Sequence, residues 1–409
     1  MSGLWQAPAR SAEARAIYES AEADRAANPE KYRLEVEPLA AAALAKARDA
    51  SDDDGDWREG FGVYVNAARE EGRLNALGIR NMAAAAIGRV QSRFALARAL
   101  ASKPEVAQRK VERPIFIIGG WRTGTTLMQR LLGALPALRA LYPAELSVPG
   151  RFAGLTGAER EALLDAGEGA HHRLHTLNPT MQAVHPSGGR LAEECVLAMG
   201  TDMRNWGFTS TLRCPSYANW LLGQDMTGSY RRYRDILKLL EMPDGRRFVL
   251  KAPAHTAELE RLLTVFPDAC VMHLHRDVVE TVTSGASLFA VFRSTYSDAV
   301  DAADVGRYQL DMTQRWFERA MAARDAHRQA DVLDVSFPEL VADPVAMAEK
   351  ICRRFDIGWG DGAREAAVTQ LAALKTQHGA HRYTPEEFGL APEEIRARLS
   401  GYRARFGVS

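Results

Sequence analysis

The stretch PIFIIGGWRTGTTLMQRLL, residues 114–132, decides the fold. Its apolar run, glycine-rich turn and leucine-spaced continuation predict a buried strand that leads through a tight turn into a helix. The turn nearly matches the phosphate-binding pattern G-x-x-x-x-G-K-[ST], with Gly119, Gly124 and Thr126 in the expected places. Thr125 stands where that pattern has a lysine, which reaches the outer phosphates of a nucleotide. The stretch therefore predicts an anion site that lacks the usual cation.

A less highly charged anion than a triphosphate needs no lysine at that place. The N–H groups of the turn, the N terminus of the following helix and the hydroxyls of Thr125 and Thr126 are sufficient when one displaced cation assists them. Arg122 is that cation in this sequence. The alternative is a glycine turn that merely connects strand to helix.

Four short apolar segments alternate with helical segments after about residue 111. They are IFIIG at 115–119, RFVLK at 247–251, CVMHLH at 270–275 and DVLDVS at 331–336. This alternation predicts an α/β fold with a P-loop-like, mostly parallel sheet flanked by helices. Ligands of such sheets bind beyond the carboxyl ends of the strands, so the chemistry is expected there.

Residues 1–110 have a different pattern, rich in Ala, Arg and Glu with helical spacing. We predict an all-helical N-terminal region at 1–110 and the α/β domain at 111–409. The simplest role for these helices is packing or oligomerisation, and they would fit a homodimer.

The composition limits which classes of partner the protein is expected to bind and in which cellular compartment it is expected to work. Lys plus Arg equals Asp plus Glu, at 52 each, so no overall charge favours nucleic acid. The four cysteines are far apart, which argues against a zinc knuckle and a disulfide framework. The first residues do not resemble a signal peptide, and no apolar stretch is long enough for a transmembrane helix. A cytoplasmic protein is expected.

The second strand end, LKAPAHTAELERLL, offers Lys251 and His255. We expect Thr256 to cap the helix that follows, which would hold His255 at the edge of the sheet. A histidine there can accept a proton near neutral pH, and Lys251 can stabilise developing negative charge. A purely structural histidine is the alternative.

The third strand end places Arg276 after CVMHLH, and Ser284 follows eight residues later. Asp277 and Glu280 have the spacing of a capping box that opens a helix. Arg276 and Ser284 can therefore bind a second phosphate, away from the first. The alternative is an Arg276–Asp277 ion pair beside a solvent-facing serine.

Taken together, the three segments resemble the sulfotransferase family, which transfers a sulfuryl group from 3′-phosphoadenosine-5′-phosphosulfate (PAPS) and releases adenosine 3′,5′-bisphosphate (PAP). The resemblance covers about residues 111–405, is nearest to a bacterial branch, and leaves out the N-terminal helices. It implies a metal-independent reaction. The family's loop is P-[KR]-[ST]-G-T-T; here Trp121 replaces the proline and Leu127 replaces a tryptophan that stacks on adenine. The residues that it assigns to donor binding are Gly120, Trp121, Arg122, Thr123, Gly124, Thr125, Thr126, Arg276, Ser284, His381 and Arg382.

The resemblance also implies catalytic roles. His255 would be the base, with Lys251 and Arg122 stabilising charge, whereas in the protein-tyrosine and glycan branches the base is a glutamate, at a place comparable to Glu145. His185 is less favoured because no strand end holds it. The same applies to the cluster of His171, His172 and His175.

The acceptor is the least determined part. The aromatic stretch at 206–220, WGFTSTLRCPSYANW, can line a pocket for a lipid, sterol or phenol, although it can equally be core, and a sugar is the other acceptor class. Two other functions stay open, a small-molecule kinase and a non-catalytic nucleotide-binding protein. A kinase would need the missing loop lysine and an acidic magnesium ligand.

Overall fold

A five-stranded sheet forms the centre of the protein, whose computed structural model describes residues 3–45, 54–242, 244–375 and 383–409. The strands are β1 (Ile115–Gly119), β2 (Leu138–Ala140), β3 (Arg247–Lys251), β4 (Cys270–His275) and β5 (Asp331–Ser336). They are ordered β2-β3-β1-β4-β5, and every pairing is parallel. The four predicted strands are confirmed. Strand β2 escapes prediction because three residues are too short a pattern.

Helices make up the N-terminal region and cover both faces of the sheet. Those before β1 are α1 (Ala12–Ala27), α2 (Val36–Ala45), α3 (Trp57–Glu71) and α4 (Ala76–Ala101). Those between β1 and β3 are α5 (Thr125–Gly133), α6 (Pro143–Ser147), α7 (Pro149–Phe152), α8 (Gly157–Leu177), α9 (Thr180–Val184), α10 (Phe208–Thr211), α11 (Pro215–Leu222) and α12 (Thr227–Leu240). Those after β3 are α13 (Ala254–Ala257), α14 (Leu259–Val265), α15 (Val278–Tyr296), α16 (Ala302–Ala326), α17 (Phe337–Ala342), α18 (Pro344–Arg354), α19 (Asp361–Lys375), α20 (Pro392–Arg398) and α21 (Ser400–Phe406).

Alternate residues of the strands supply two apolar layers, one on each face of the sheet. Phe116 and Ile118 of β1 belong to one layer, whereas Ile115 and Ile117 belong to the other. This division follows from the two-residue period of a strand. All five residues of β1 are buried, which explains why its sequence is uniformly apolar.

The N-terminal helices share one of these layers. Phe61 of α3 and Phe94 of α4 belong to the same buried cluster as Phe116 and Ile118 of β1. The region is therefore helical, as predicted, and it packs directly on the α/β part of the chain. A domain boundary near residue 110 and the homodimer remain predictions.

The structure also shows the state of the cysteines and the apolar character of the helices. All four cysteines are buried and free of disulfide bonds. Within the described ranges, no helix combines the length and apolar character that a bilayer crossing requires.

Gly78 in α4 tests how tightly the N-terminal region packs. A Cβ atom at Gly78 would lie 2.1 Å from the main-chain oxygen of Tyr296, the last residue of α15, so Gly78→Ala forces the two helices apart. We expect urea denaturation to show a loss of about 1–3 kcal/mol in the free energy of unfolding. Gly88→Ala in the same helix is the matched control, because its methyl meets open space; it should add about 0.5–1 kcal/mol. Similar effects of the two substitutions would contradict this close packing.

Candidate active site

The turn after β1 has a backbone that only a few residue types tolerate. Gly124 has a φ of +90° and precedes Thr125, the first residue of α5. A Cβ atom at Gly124 would lie 2.6 Å from the side chain of Leu340, so glycine is required for space as well as for φ. Arg122 has a φ of +60°, a conformation that costs a non-glycine residue about 1–2 kcal/mol. The strained turn thus places Arg122 beside the N terminus of a nine-residue helix, where N–H groups attract an anion.

Thr256 anchors the start of this turn. Its hydroxyl accepts a hydrogen bond from the Gly119 N–H at 2.9 Å and donates one to the Gly119 carbonyl oxygen at 3.1 Å. The prediction that Thr256 caps a helix is wrong, since it lies inside α13 and its hydroxyl is directed to the neighbouring strand end. Thr123 adds a hydrogen bond within the turn, from its hydroxyl to the Gly120 carbonyl oxygen at 2.9 Å.

Arg276 lies beside the same turn. Its Nη1 donates to the Arg122 carbonyl oxygen at 2.7 Å, so the two arginines are neighbours. Its Nε donates to Glu280 Oε2 at 2.5 Å, and its guanidinium lies 4.2 Å from the ring centroid of Phe337. Asp277 caps α15 by accepting the Glu280 N–H at 2.8 Å. One half of the predicted capping box therefore forms, while the Glu280 carboxylate pairs with Arg276.

Tyr383 connects Ser284 with Arg122, a role that sequence motifs do not assign to it. Its hydroxyl donates to Ser284 Oγ at 2.6 Å, and it covers Ser284, which is 2% exposed. Arg122 is exposed as a residue, but desolvation of its guanidinium and the nearby charge of Arg276 lower its pKa, whereas a hydrogen bond with Tyr383 favours its charged form. The signal that could have identified Tyr383 is its place directly after the predicted pair at 381 and 382.

The predicted donor-binding residues His381 and Arg382 lie outside the described residues. Their roles remain predictions.

Lys251, the last residue of β3, belongs to a polar cluster that sequence analysis did not assemble. It is 1% exposed, and its Nζ donates to Glu194 Oε1 at 2.8 Å. In the sheet Lys251 pairs with Ile117 of β1, two residues before the turn begins. A buried ammonium group therefore lies close to the start of the glycine turn, with its charge balanced by a carboxylate.

His185 and Glu193 form a pair in the same cluster. His185 Nε2 lies 3.0 Å from Glu193 Oε1, and Glu193 Oε2 accepts the Glu194 N–H at 3.1 Å. Burial opposes the charged form of Glu193, but its interactions with His185 and Lys251 outweigh burial and lower the pKa of this carboxyl. Both oxygens of Glu193 are thus engaged, and the pair fixes the orientation of the His185 ring.

Contacts from α5 and the turn hold the segment at 184–193 in place. Gln129 Nε2 donates to the Glu193 carbonyl oxygen at 2.9 Å, and Arg130 Nη2 donates to the Pro186 carbonyl oxygen at 2.7 Å. Arg122 Nη1 donates to the Val184 carbonyl oxygen at 2.9 Å. This segment follows no strand, so the only hint in the sequence is its adjacent pair of glutamates.

His255 lies in the core close to Lys251. It is 0% exposed, its Nδ1 lies 2.7 Å from the Tyr230 hydroxyl, and its ring meets Phe116 edge-on at 5.2 Å between centroids. Burial, assisted by the charge of Lys251, lowers the pKa of His255 to about 3. Its Nε2 is buried without a hydrogen-bond partner among the described residues, and its role as base remains a prediction.

Glu145 is 1% exposed in α6, and three donors engage it. Its Oε1 accepts from Arg139 Nη2 at 2.5 Å and from Arg160 Nη2 at 2.7 Å, and its Oε2 accepts the Tyr142 N–H at 3.0 Å. Removing this carboxylate would remove the acceptor that Arg139 and Arg160 share. The contacts favour a structural role for Glu145, although its role as base also remains a prediction.

An aromatic cavity of about 360 Å³ opens beside the His185–Glu193 pair. Trp121 lies in its wall, stacked on Trp316 with 4.7 Å between centroids. Trp206 and Phe208, from the predicted aromatic stretch, also line it, whereas Tyr217 of that stretch is fully buried in the core. The residues that line this aromatic cavity include Tyr64, Asn81, Ala85, Arg89, Trp121, His171, His185, Glu193, Glu194, Trp206, Phe208, Pro253, Ala254, Phe289, Phe292 and Trp316.

One group of possible metal ligands lies elsewhere in the described residues. Its members are His273, His275 and Asp334, at the ends of β4 and β5. Asp334 accepts from Arg324, and His275 uses its two ring nitrogens for Asp334 and Tyr402. These hydrogen bonds form a structural network. The predicted independence from metal remains a prediction.

The parallel sheet covered by helices on both faces, with a glycine turn between its first strand and the next helix, defines an α/β fold. The sequence profile of the Sulfotransferase family matches residues 114–361, more than half of the chain. The chain belongs to the sulfotransferase family.

Solved structures extend this likeness. The crystal structure of sulfotransferase STF1 from Mycobacterium tuberculosis H37Rv has a TM-score of 0.78 and 31% identity, over 89% of this chain and 98% of that chain. Sulfotransferase STF9 from Mycobacterium avium has a TM-score of 0.78 and 24% identity, over 91% and 96%, and supports the fold alone. Residues 111–409 are 299 of 409 residues, less than 89% of the chain. The likeness therefore reaches into the N-terminal helices, which the motifs leave out.

Two curated relatives that have the same name are similar to this chain in sequence. They are the omega-hydroxy-beta-dihydromenaquinone-9 sulfotransferases Stf3 of Mycobacterium bovis and Mycobacterium tuberculosis, each 25% identical over 285 residues. The match takes in 60% of this chain and 63% of each relative. The chain thus spans less than two thirds of the length of these relatives.

Glu258 fixes Trp206 in the wall of the aromatic cavity. Its Oε1 accepts from Trp206 Nε1 at 3.0 Å, and its Oε2 accepts from Arg319 Nη2 at 2.9 Å. Burial raises the pKa of Glu258 from 4.5 to about 7, against the opposing charge of Arg319. Because the folded-state pKa is the higher one, Glu258 contributes stability that is present below 4.5 and is lost as the pH rises through about 7.

Glu258→Gln should remove this pH dependence. Between about pH 5 and pH 8 the wild type should lose roughly 3 kcal/mol of unfolding free energy relative to the variant, measured by urea denaturation at each pH. Glu260→Gln, at an exposed position of α14, is the control and should differ from wild type by a constant amount. A constant difference for Glu258→Gln as well would contradict the raised pKa.

Proposed function

We propose that this protein transfers a sulfuryl group from PAPS to the hydroxyl of a largely apolar acceptor. The observation that supports the proposal is the 2.7 Å hydrogen bond from Arg276 to the Arg122 carbonyl oxygen, because it makes neighbours of the two residues that we propose to bind anions. PAPS has its charge in two places, a 5′-phosphosulfate and a separate 3′-phosphate. The glycine turn with Arg122 fits the first, and Arg276 with Ser284 fits the second. Membership of the sulfotransferase family supports the same donor.

The proposed donor supplies the activated sulfuryl group, and the side chains around it hold charge and accept a proton. Lys251 and Arg122 would stabilise negative charge on the bridging and equatorial oxygens, where charge changes most. His185 would remove the acceptor proton, since it lines the aromatic cavity and Glu193 orients its ring. An imidazole can accept a proton near neutral pH. Glu193 is then a positioning residue.

The aromatic cavity supports an apolar acceptor. Its six tryptophan and phenylalanine residues suit a lipid, sterol or phenol better than a sugar. The Stf3 relatives, by their name, act on a hydroxylated menaquinone, which is also largely apolar. The proposed enzyme is cytoplasmic, needs no metal and releases PAP as a product.

Calorimetric titration with PAP and with ATP tests the donor. PAP should bind more tightly than ATP, because Thr125 replaces the lysine that a triphosphate needs. Arg276→Gln should weaken PAP binding about ten- to a hundredfold, and Tyr383→Phe about tenfold, through loss of hydrogen bonds to charged and polar partners. Tighter PAP binding by Tyr383→Phe would mean that Tyr383 competes with the phosphate. Preference for ATP would favour a kinase, and PAP binding without transfer to a broad acceptor panel would favour a non-catalytic protein.

Four isosteric variants test the base. On any phenol, sterol or long-chain alcohol that the wild type sulfates, His185→Gln should lower kcat by about 10²- to 10⁴-fold while PAP binding is unchanged. Glu194→Gln, His255→Gln and Glu145→Gln are compared in the same assay with radiolabelled PAPS, and thermal melting shows which variants are folded. If a folded His255→Gln, Glu145→Gln or Glu194→Gln variant loses turnover while His185→Gln keeps it, His185 is not the base.

A further inference from the structure

Helices α3 and α4 of the N-terminal region form one wall of the aromatic cavity. Tyr64 of α3 lines it together with Asn81, Ala85 and Arg89 of α4. The opposite surfaces come from the α/β part of the chain, including Trp121 of the glycine turn. A molecule in this cavity would therefore touch both parts of the chain.

Arg89 is the basic residue of that wall. Its Nη1 donates to the Leu197 carbonyl oxygen, its Nη2 donates to the Val196 carbonyl oxygen at 3.4 Å, and its guanidinium lies 6.0 Å from the ring centroid of Phe208. Burial lowers the pKa of Arg89 to about 10, so it stays charged at neutral pH. Within the described part of the chain, its hydrogen-bond partners are main-chain oxygens, and no carboxylate forms an ion pair with it.

The acidic groups in the wall of the cavity already have partners. Glu193 pairs with His185, and Glu194 pairs with Lys251. Neutral carbonyl oxygens offset only part of the cost of burying a charge, whereas an anion would offset more. The electrostatics of this cavity therefore favour a guest that carries a negative charge as well as apolar surface.

We propose that Arg89 binds a carboxylate carried by the acceptor, so that the N-terminal helices select acceptors that have a hydroxyl, an apolar or aromatic body and an anionic group. The proposal rests on the proposed function and specifies its acceptor class. A guanidinium suits this role because its planar set of N–H donors matches a carboxylate. The other role for Arg89 is to hold the turn Cys195–Leu197 through its carbonyl oxygens.

A matched pair of ligand series separates the two roles. The probes are (4-hydroxyphenyl)alkanoates of increasing chain length and the corresponding (4-hydroxyphenyl)alkanols, titrated by calorimetry into the protein saturated with PAP. Each pair has the same phenol and nearly the same shape but differs in charge. At the best chain length, the wild type should bind the carboxylate about ten- to a hundredfold more tightly than the alcohol.

Three variants complete the experiment. Arg89→Gln keeps a polar amide at this position but lacks the charge, so it should lose the preference for the carboxylate while still binding the alcohol. Arg89→Lys should restore part of the preference. Arg80→Gln removes a charge from an exposed position of the same helix and should leave the preference intact.

The possible results are distinct. The proposal is overturned if the wild type binds neither series, binds both equally or prefers the alcohols, or if Arg89→Gln keeps the preference. Equal weakening of both series by Arg89→Gln, with a lower melting temperature, would assign Arg89 to the turn Cys195–Leu197 and also overturn it. PAP binding is measured separately, so failure of the donor assignment is recognised independently of the acceptor result.

Discussion

The hydrogen bond from Arg276 to the main chain of Arg122 joins two strand ends that lie 154 residues apart in the sequence. It is possible because β1 and β4 are adjacent and parallel, with Gly119 in register with Leu274. Thr256 makes the equivalent connection from the other side, where β3 pairs with β1. The candidate site depends on this meeting of three strand ends, since the turn, the second arginine and Lys251 come from three different strands. The pairing of the strands thus brings together charged residues that are far apart in the sequence.

The aromatic cavity depends on a second constraint, which is the shared apolar layer between the N-terminal helices and the sheet. The layer that contains Phe116 of β1 continues to Phe61 of α3 and Phe94 of α4. Because α4 also packs on α15 near Gly78, its position relative to the glycine turn is set by buried contacts. The N-terminal region is for this reason a structural part of the cavity.

The candidate bases lie in different surroundings, and which of them acts as the base remains a prediction. His255 follows a strand end, as the rule for parallel sheets requires, but its ring is directed into the core toward Tyr230 and Phe116. Strand-end position predicts the edge of a sheet and says nothing about which side of the next turn a side chain occupies. His185 follows no strand, yet contacts from α5 and the glycine turn hold its segment in place.

The sequence by itself determined the four longer strands, the glycine turn and the helical N-terminal region. These features are local: a buried strand of a parallel sheet favours an uninterrupted apolar run, and a left-handed backbone favours glycine. Only the tertiary structure decided that Tyr383 meets Ser284, that Glu193 orients His185, and that Arg89 faces an apolar cavity without a carboxylate partner among the described residues. Their separation along the chain carries no information about distance in space, because these contacts arise from the packing of whole helices and loops. The same packing determines which of the buried charged side chains have a partner.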